Sequence, residues 1–300
     1  MYSKLLIPLD GSRTAEKVLP FARILTATLK LPIELLEVVD IAAATAHIAA
    51  DKARYLDKII TEGENASREH LAEVARTFSG LHVTCQVIRG RPADLIIERA
   101  EADNGTLIAM ATHGRSGINR WMMGSVAEKV LRGTKTPLFL VRVADEATAG
   151  RPAAIKSILV PLDGSELAES ALSAVSELAK KLDVQIVLCR AYELAATAYY
   201  GSEDYLPKYD EMLRELKEEV EGYLTKKAEE LKAGGLSKVS WVALEGSGAD
   251  EIVRYANAQA DILVGMCTHG RSGVSRWTLG SVTEKVVRHS DGPVLVLHAT

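Results

Sequence analysis

The sequence has few of the residues that mark disulfide-linked, metal-binding or membrane-spanning proteins. Its three cysteines, Cys85, Cys189 and Cys267, are widely scattered and form no Cys-x-x-Cys pair or Cys/His ligand spacing. This pattern favours buried thiols in a reducing compartment over a disulfide framework or a zinc site. No apolar run reaches the roughly 18 residues of a membrane helix, and the N-terminus lacks the apolar segment of a signal peptide. We therefore expect a cytoplasmic protein with no membrane partner and no metal ligands.

Aromatic residues and net charge are also scarce. Aromatic side chains make up 5% of the chain, and the formal net charge is −4. Because no basic excess is present, the composition gives no sign of nucleic-acid binding. Hydrophobic residues make up 47% and charged residues 25%, which is typical of a globular protein whose cores are built from Leu, Val, Ile and Ala.

Two segments of the chain recur. The run Leu6–Ser12 (LIPLDGS) returns as Leu159–Ser165 (LVPLDGS), and Thr112–Gly117 (THGRSG) returns as Thr268–Gly273. This period is far longer than that of a solenoid repeat and indicates a duplicated domain. A length of 300 residues also fits two domains of roughly 150 residues each.

The boundary between the copies lies in a stretch of polar and small residues that contains Gly150 and Pro152. Such a composition is typical of a linker. We predict a first domain over residues 1–144, a linker over 145–154 and a second domain over 155–300.

Short apolar runs alternate with helical patterns in each repeat. In the first repeat, strands are predicted over residues 5–9, 33–39, 82–88, 106–111 and 138–143, and helices over 12–29, 51–78, from 92, and over 126–131. The second repeat has the same order, with a long charged helix over 205–231 that ends at Gly234-Gly235. Alternation of this kind predicts a parallel sheet with right-handed crossovers and helices on both faces. The predicted fold is α/β, with two tandem doubly wound domains of five strands in the order 3-2-1-4-5.

A glycine-rich loop follows the fourth strand of each repeat. Glycines such as Gly114 let backbone N–H groups approach an anion, and a helix that starts at Ser125 or Val126 adds unsatisfied N–H groups and a positive dipole end. Arg115 could neutralise phosphate charge. The loops after strands one and four flank the switch point of a doubly wound sheet, where ligands bind. These parts suit a polyphosphate, although no Walker motif is present.

The same residues also fit a purely structural interpretation. Ser125 with Glu128, and Ser281 with Glu284, have the spacing of capping boxes, which need no ligand. Asp10-Gly11-Ser12 has the composition of a turn with its own hydrogen bonds. The return of the same glycines, arginine and serine in both halves favours a functional role.

The pattern Gly-x2-Gly-x9-Gly-Ser, preceded by Pro-x-Asp at the end of strand one, resembles the universal stress protein family of the ATP-binding kind. The motif lies at Gly114 with Gly124 in the first repeat and at Gly270 with Gly280 in the second, and the resemblance spans the whole chain. The first motif glycine is Ala111 in one repeat and Cys267 in the other. Because cysteine is bulkier, we expect weaker binding in the second site.

The resemblance implies ATP, with or without Mg²⁺, as the ligand. It places Asp10 and Asp163 beside the ribose or adenine, and it assigns the backbone at Val38 and Ala191 to the adenine edge. The complete implied set is Pro8, Asp10, Val38, Met110, Ala111, Gly114, Arg115, Gly124, Ser125 and Val126 in the first repeat, and Pro161, Asp163, Ala191, Met266, Cys267, Gly270, Arg271, Gly280, Ser281 and Val282 in the second.

By the same resemblance, the protein is a stress-response regulator whose nucleotide controls its conformation or its binding to an unknown protein partner. A slow ATPase is one alternative, although no base, metal carboxylate and charge clamp are evident together. A non-nucleotide assembly module with structural loops is the other. The apolar fifth strands, 138–143 and 294–298, would be exposed sheet edges in isolation, and the family pairs them. This implies an intramolecular pseudo-dimer and a further homodimer.

Overall fold

The computed structural model describes residues 2–41, 56–112, 123–142, 152–194, 206–268 and 279–298. The chain divides into two compact units, Met1–Ala154 and Ile155–Thr300. Each unit contains a parallel β-sheet with helices packed against it.

The sheet of the first unit has five strands, β1 (Lys4–Leu9), β2 (Ile33–Val39), β3 (Val83–Arg89), β4 (Thr106–Ala111) and β5 (Leu138–Val141). Their order is β3-β2-β1-β4-β5, and every neighbouring pair is parallel. All six residues of β4 are buried, as expected for a central strand covered on both faces. The predicted order 3-2-1-4-5 is confirmed.

The helices of the first unit are a short 3-10 helix (Ala15–Val18), α1 (Leu19–Leu29), α2 (Leu56–Arg76), α3 (Pro92–Glu101) and α4 (Ser125–Gly133). Contacts link α1 and its preceding turn to α2, and α3 packs against α4. Right-handed crossovers in the two directions from β1 place these two pairs on opposite faces of the sheet.

The second unit repeats this architecture. Its strands are β6 (Ser157–Pro161), β7 (Gln185–Tyr192), β8 (Val239–Glu245), β9 (Ile262–Cys267) and β10 (Val294–Leu297), in the parallel order β8-β7-β6-β9-β10. Its helices are α5 (Glu166–Glu169), α6 (Ala171–Leu182), α7 (Leu206–Ala233), α8 (Gly248–Ala258) and α9 (Ser281–His289). As predicted, α7 ends at Gly234-Gly235, where Gly235 has a φ of 87°.

The first predicted helix of each unit is interrupted. In the first unit the 3-10 turn precedes α1, and Pro20 is at the second position of α1. Proline has no N–H for the bond back to residue 16, which favours the break. In the second unit the break occurs at Ser170 without a proline, so proline is not its only cause.

The two cores distribute side-chain volume differently between one helix position and one strand position. The strand registers place Gly265 of β9 where β4 has Ala109. A Cβ atom at Gly265 would lie 2.8 Å from Cγ2 of Val175 on α6. The residue of α1 that corresponds to Val175 is Ala22, which is fully buried. In the second unit the side-chain volume at this pair of positions lies on the helix, at Val175. In the first unit it is divided between Ala22 on the helix and Ala109 on the strand.

Candidate functional site

The loop after the first strand is an aspartate turn in both units. Ser12 donates its backbone N–H and its hydroxyl to Asp10 Oδ1, at 3.0 and 2.6 Å. Asp163 accepts the same pair of bonds from Ser165, at 2.9 and 2.6 Å. The glycine between them has a positive φ, 76° at Gly11, which favours glycine. The structural interpretation of these aspartates therefore holds, and the turn also fixes each carboxylate at the carboxyl end of its strand.

The capping boxes are a wrong prediction. Gly124 is the N-cap of α4, with φ −60° and ψ 143°, and Ser125 is the first helical residue. Gly280 has the same role before Ser281, with φ −62° and ψ 142°. The Gly124 carbonyl accepts the Glu128 N–H at 2.9 Å, which makes glycine the cap. Because glycine has no side chain with which to cap, the first N–H groups of each helix gain no side-chain acceptor at the cap.

The N-cap glycine is held by backbone bonds that are the same in both units. Gly124 N–H donates to the Thr112 carbonyl at 2.7 Å, and Thr112 N–H donates to Val141 at 2.9 Å. Gly280 N–H donates to the Thr268 carbonyl at 2.9 Å. These bonds fix each helix N-terminus beside the end of the fourth strand, where its dipole favours an anion.

A cavity lies at the carboxyl ends of the strands in each unit. The first has a volume of about 810 Å³ and the second about 460 Å³, both within the roughly 300–1,000 Å³ of small-molecule sites. The first is lined by the predicted residues Pro8, Asp10, Val38, Met110, Ala111, Gly124, Ser125 and Val126. The second is lined by Pro161, Asp163, Ala191, Met266, Cys267, Gly280, Ser281 and Val282. Gly114, Arg115, Gly270 and Arg271 lie outside the described residues.

A histidine between two carboxylates forms one wall of the first cavity. Glu37, at the end of β2, accepts a 2.8 Å hydrogen bond from Ser67 and lies 3.0 Å from His70 Nδ1. His70 Nε2 lies 3.1 Å from Glu16. Since a carboxylate only accepts, both ring nitrogens donate, which is the bonding of a cationic imidazole.

The electrostatics of His70 agree with this assignment. Burial lowers the pKa of His70, but the hydrogen bonds and charges of Glu37 and Glu16 raise it more, so the net pKa lies above the ordinary 6.5. The wall therefore contains two glutamate side chains that stabilise the charged form of the His70 ring.

The corresponding wall of the second cavity has different chemistry. Pro8 pairs with Leu36 and Pro161 pairs with Cys189, so Glu37 corresponds to Arg190. Its guanidinium lies 5.0 Å from the Tyr223 ring centroid.

Tyr223 takes the place of His70. Its hydroxyl donates to Glu169 at 2.7 Å, and Lys227 Nζ lies 2.9 Å from the same carboxylate. Burial, and then the Glu169 hydrogen bond and charge, raise the pKa of Tyr223, so it remains a neutral donor. This wall has an arginine, Arg190, where the first has a glutamate, and a lysine, Lys227, beside the retained glutamate.

The smaller size of the second cavity follows from the helix beside it. Gly63 lines the first cavity, and no atom lies within 4 Å of a Cβ built there. The second cavity is lined by two residues of α7 that are one helical turn apart, Leu216 and Val220. His70 of α2 and Tyr223 of α7 contact equivalent glutamates, and this similarity aligns the two helices. In the alignment Leu216 takes the position of Gly63, and Val220 takes that of Ser67.

Cys267 is a further difference between the cavities. Its Sγ lies 3.1 Å from Ser170 Oγ, and burial raises the pKa of the thiol although Ser170 partly opposes this. A buried, protonated thiol is a poor nucleophile. Cys267 therefore acts on the cavity through its size, at the position that Ala111 occupies in the first unit.

Sequence reasoning missed the residues of the cavity wall. Glu37, Ser67 and His70 carried no motif, and neither did Arg190 and Tyr223. One signal was available, since Glu37 interrupts the apolar run of a strand predicted to be buried, and a buried charge requires a partner. The partners themselves depend on which face of α2 meets the strand.

Each unit thus defines a doubly wound α/β domain with a ligand-sized cavity at the switch point of its sheet. The model of the universal stress protein family matches residues 1–142 and 154–298, and the chain belongs to this family, with two copies of the domain. Universal stress protein MJ0531 of Methanocaldococcus jannaschii is 31% identical over 142 residues, which cover 47% of this chain and 81% of that protein. Universal stress protein Mb2028c of Mycobacterium bovis is 23% identical over 216 residues, which cover 72% of this chain and 69% of that protein.

A solved structure shares the fold of the whole chain. The crystal structure of a universal stress protein from Archaeoglobus fulgidus superposes with a TM-score of 0.70 at 23% identity and covers 99% of both chains. Among the helices in the described ranges, none combines the length and apolar character of a membrane span. The described residues also contain no cluster of three His, Cys, Asp or Glu side chains arranged to hold a metal ion.

Proposed function

We propose that the protein is an ATP-binding regulator of the stress response and that each cavity is a nucleotide site. The observation that carries the proposal is the start of α4, where a glycine N-cap leaves helical N–H groups without a side-chain cap at the edge of a ligand-sized cavity. Such a helix start is suited to phosphate. The predicted residues Gly114 and Arg115 follow β4 and would add N–H groups and a positive charge there.

The remaining cavity fits the other parts of the nucleotide. Asp10 is fixed at the end of β1, within reach of a ribose hydroxyl in the proposed pose. The backbone at Val38 forms the wall at the end of β2 and would face the base edge. Apolar side chains, including Ile96 and Met110, complete the lining, as is usual for sites that hold a base.

The experiment is to denature freshly purified protein and to identify the released nucleotide by mass spectrometry. We expect ATP or its hydrolysis product. Recovery of no adenine nucleotide, together with no ATP binding by calorimetry, would overturn the proposal in favour of an assembly module with structural loops.

A serine-to-glutamate change assigns the sites without weakening the helix. Ser125 and Ser281 are exposed and are the first residues of α4 and α9. A carboxylate at this position stabilises the helix dipole but repels phosphate. Ser125→Glu should therefore abolish nucleotide binding to the first unit with unchanged or higher thermal stability, and Ser281→Glu should do so for the second. A matched Ser→Gln change controls for side-chain size.

We further propose that nucleotide occupancy controls conformation or binding to a protein partner, and that turnover is not the output. Linear ATP hydrolysis by purified protein, lost in both the Ser125→Glu and the Arg115→Ala variants, would favour the slow ATPase instead. Assembly also remains a prediction. Pairing of the fifth strands and a further homodimer are proposed from the family resemblance, and a light-scattering mass of one chain would reject the homodimer.

A further inference from the structure

The two cavities carry opposite charges at one equivalent position. Glu37 and Arg190 each follow the residue that pairs with the cavity proline, and each precedes the residue assigned to the base edge, Val38 or Ala191. Both residues line their cavities. The wall beside the base therefore presents an acceptor in the first unit and a donor in the second.

The Arg190 side chain is half-buried, and its guanidinium makes no hydrogen bond within the described part of the chain. Its side chain is 11% exposed, and the carboxylate nearest to it, that of Glu219, is 3.8 Å away and 69% exposed. A guanidinium has five N–H donors, and those of Arg190 lie in a residue that lines the cavity. A ligand with acceptor atoms at this end of the cavity would satisfy them.

The aromatic ring of Tyr223 orients this donor. The guanidinium is 5.0 Å from the ring centroid, and Tyr223 is itself fixed by its 2.7 Å bond to Glu169. A planar fork held in this way is preorganised for two acceptors side by side. In the first cavity, Glu37 accepts a hydrogen bond from Ser67 and contacts His70, and a carboxylate has no donor to offer.

We propose that Arg190 makes the second cavity select guanine nucleotides over adenine nucleotides. Guanine presents two acceptors, O6 and N7, on one edge, and an arginine fork binds this pair, whereas adenine places an amino donor beside its N7 acceptor. This inference rests on the proposed function, because it assumes that the phosphates lie at the α9 N-terminus and the base lies beside β7. If so, one chain has two nucleotide sites with different base specificities.

The test is calorimetric titration of the full chain with GTP and with ATP, one site at a time. Ser125→Glu leaves the second site open, and there we expect GTP to bind about tenfold or more tightly than ATP, the discrimination of one bidentate contact. Arg190→Gln should abolish this preference. Arg190→Lys keeps the charge but not the fork and should reduce it. Glu219→Gln is the matched control, because it changes the exposed neighbour and should leave the preference intact.

The outcomes separate this inference from the proposed function. If ATP binds the second site as tightly as GTP, or if Arg190→Gln leaves the preference unchanged, the inference is wrong while nucleotide binding stands. If neither nucleotide binds the second site in a chain whose first site binds ATP, the inference is also wrong. If neither site binds any nucleotide, the proposed function itself fails.

Discussion

The two units agree at one end of their cavities and differ at the other. At the helix end, Gly124 and Gly280 have nearly the same φ and ψ and the same bond back to a threonine carbonyl. At the wall beside β2 and β7, Glu37 and His70 are replaced by Arg190 and Tyr223, while the glutamate that contacts the helix is kept. The helix end is built from backbone atoms, whose arrangement does not depend on which side chains surround it. The wall is built from side chains, and side chains decide which ligand fits.

The same contrast extends into the cores. The sheet registers match strand by strand, while Ala22 and Ala109 in the first unit are exchanged for Val175 and Gly265 in the second. The two pairs differ by one side-chain carbon in total, and the larger change is in where the volume lies, a kind of substitution that close-packed interiors tolerate. The two units therefore pack the same fold with different core side chains, and replacing a single core residue of one unit by its counterpart from the other is expected to disturb the packing.

The core exchange gives the largest expected change in stability. Gly265→Ala should destabilise the protein by about 1–3 kcal/mol, because the new Cβ meets Val175. The double variant with Val175→Ala recreates the pairing of the first unit and should cost less than the sum of the two single changes. Urea unfolding of the four chains measures this coupling. Strict additivity would show that the two positions do not share one volume.

Gly63 tests why the cavities differ in size. Gly63→Leu places at this position the residue that the second unit has, and we expect ATP affinity at the first site to fall about tenfold, a loss of ~1.4 kcal/mol. Stability should rise by roughly 0.5–1 kcal/mol, because glycine is a poor helix former. Calorimetry and thermal melting follow the two effects. The control is Gly222→Ala, in the exposed face of α7 with open space around it, which should raise stability and leave binding unchanged.

His70 gives the smallest expected effect and the only one that depends on pH. Because its folded pKa is raised, its pairing stabilises the first unit fully below the ordinary value of 6.5, and the contribution is lost as pH rises through the raised pKa. The melting temperatures of the protein and of His70→Gln should therefore differ most near about pH 6, within the range in which histidine titrates. The two values should converge as the pH rises to about 8 and above. A difference that grows with pH would contradict the charged assignment.

Much of the fold could be predicted from the sequence because its signals are local. Apolar runs such as that at β4 marked the strands, and alternation with helices gave the parallel sheet and its order. The topology placed the loops after the first and fourth strands at one edge of the sheet, and the family resemblance supplied the individual residues that were predicted to line the cavities.

The rest depends on geometry that the sequence does not encode locally. The start of α4 at Ser125 or Val126 was predicted, but its N-cap was assigned to Ser125 and is Gly124, which a long-range bond from its N–H to the Thr112 carbonyl holds in place. The wall residues Glu37 and His70 are 33 positions apart, and their meeting depends on the rotation of α2 over the sheet. Arg190 in β7 became interpretable only when the strand registers aligned it with Glu37.

The central claim is that the two cavities share a phosphate end but are unequal as nucleotide sites. The most direct test is an ATP titration of two chains, Ser281→Glu with the first site open and Ser125→Glu with the second site open. The account predicts strong ATP binding in the first chain and at least about tenfold weaker binding in the second, the result of a narrower cavity and a donor wall. Equal affinities in the two chains would contradict it.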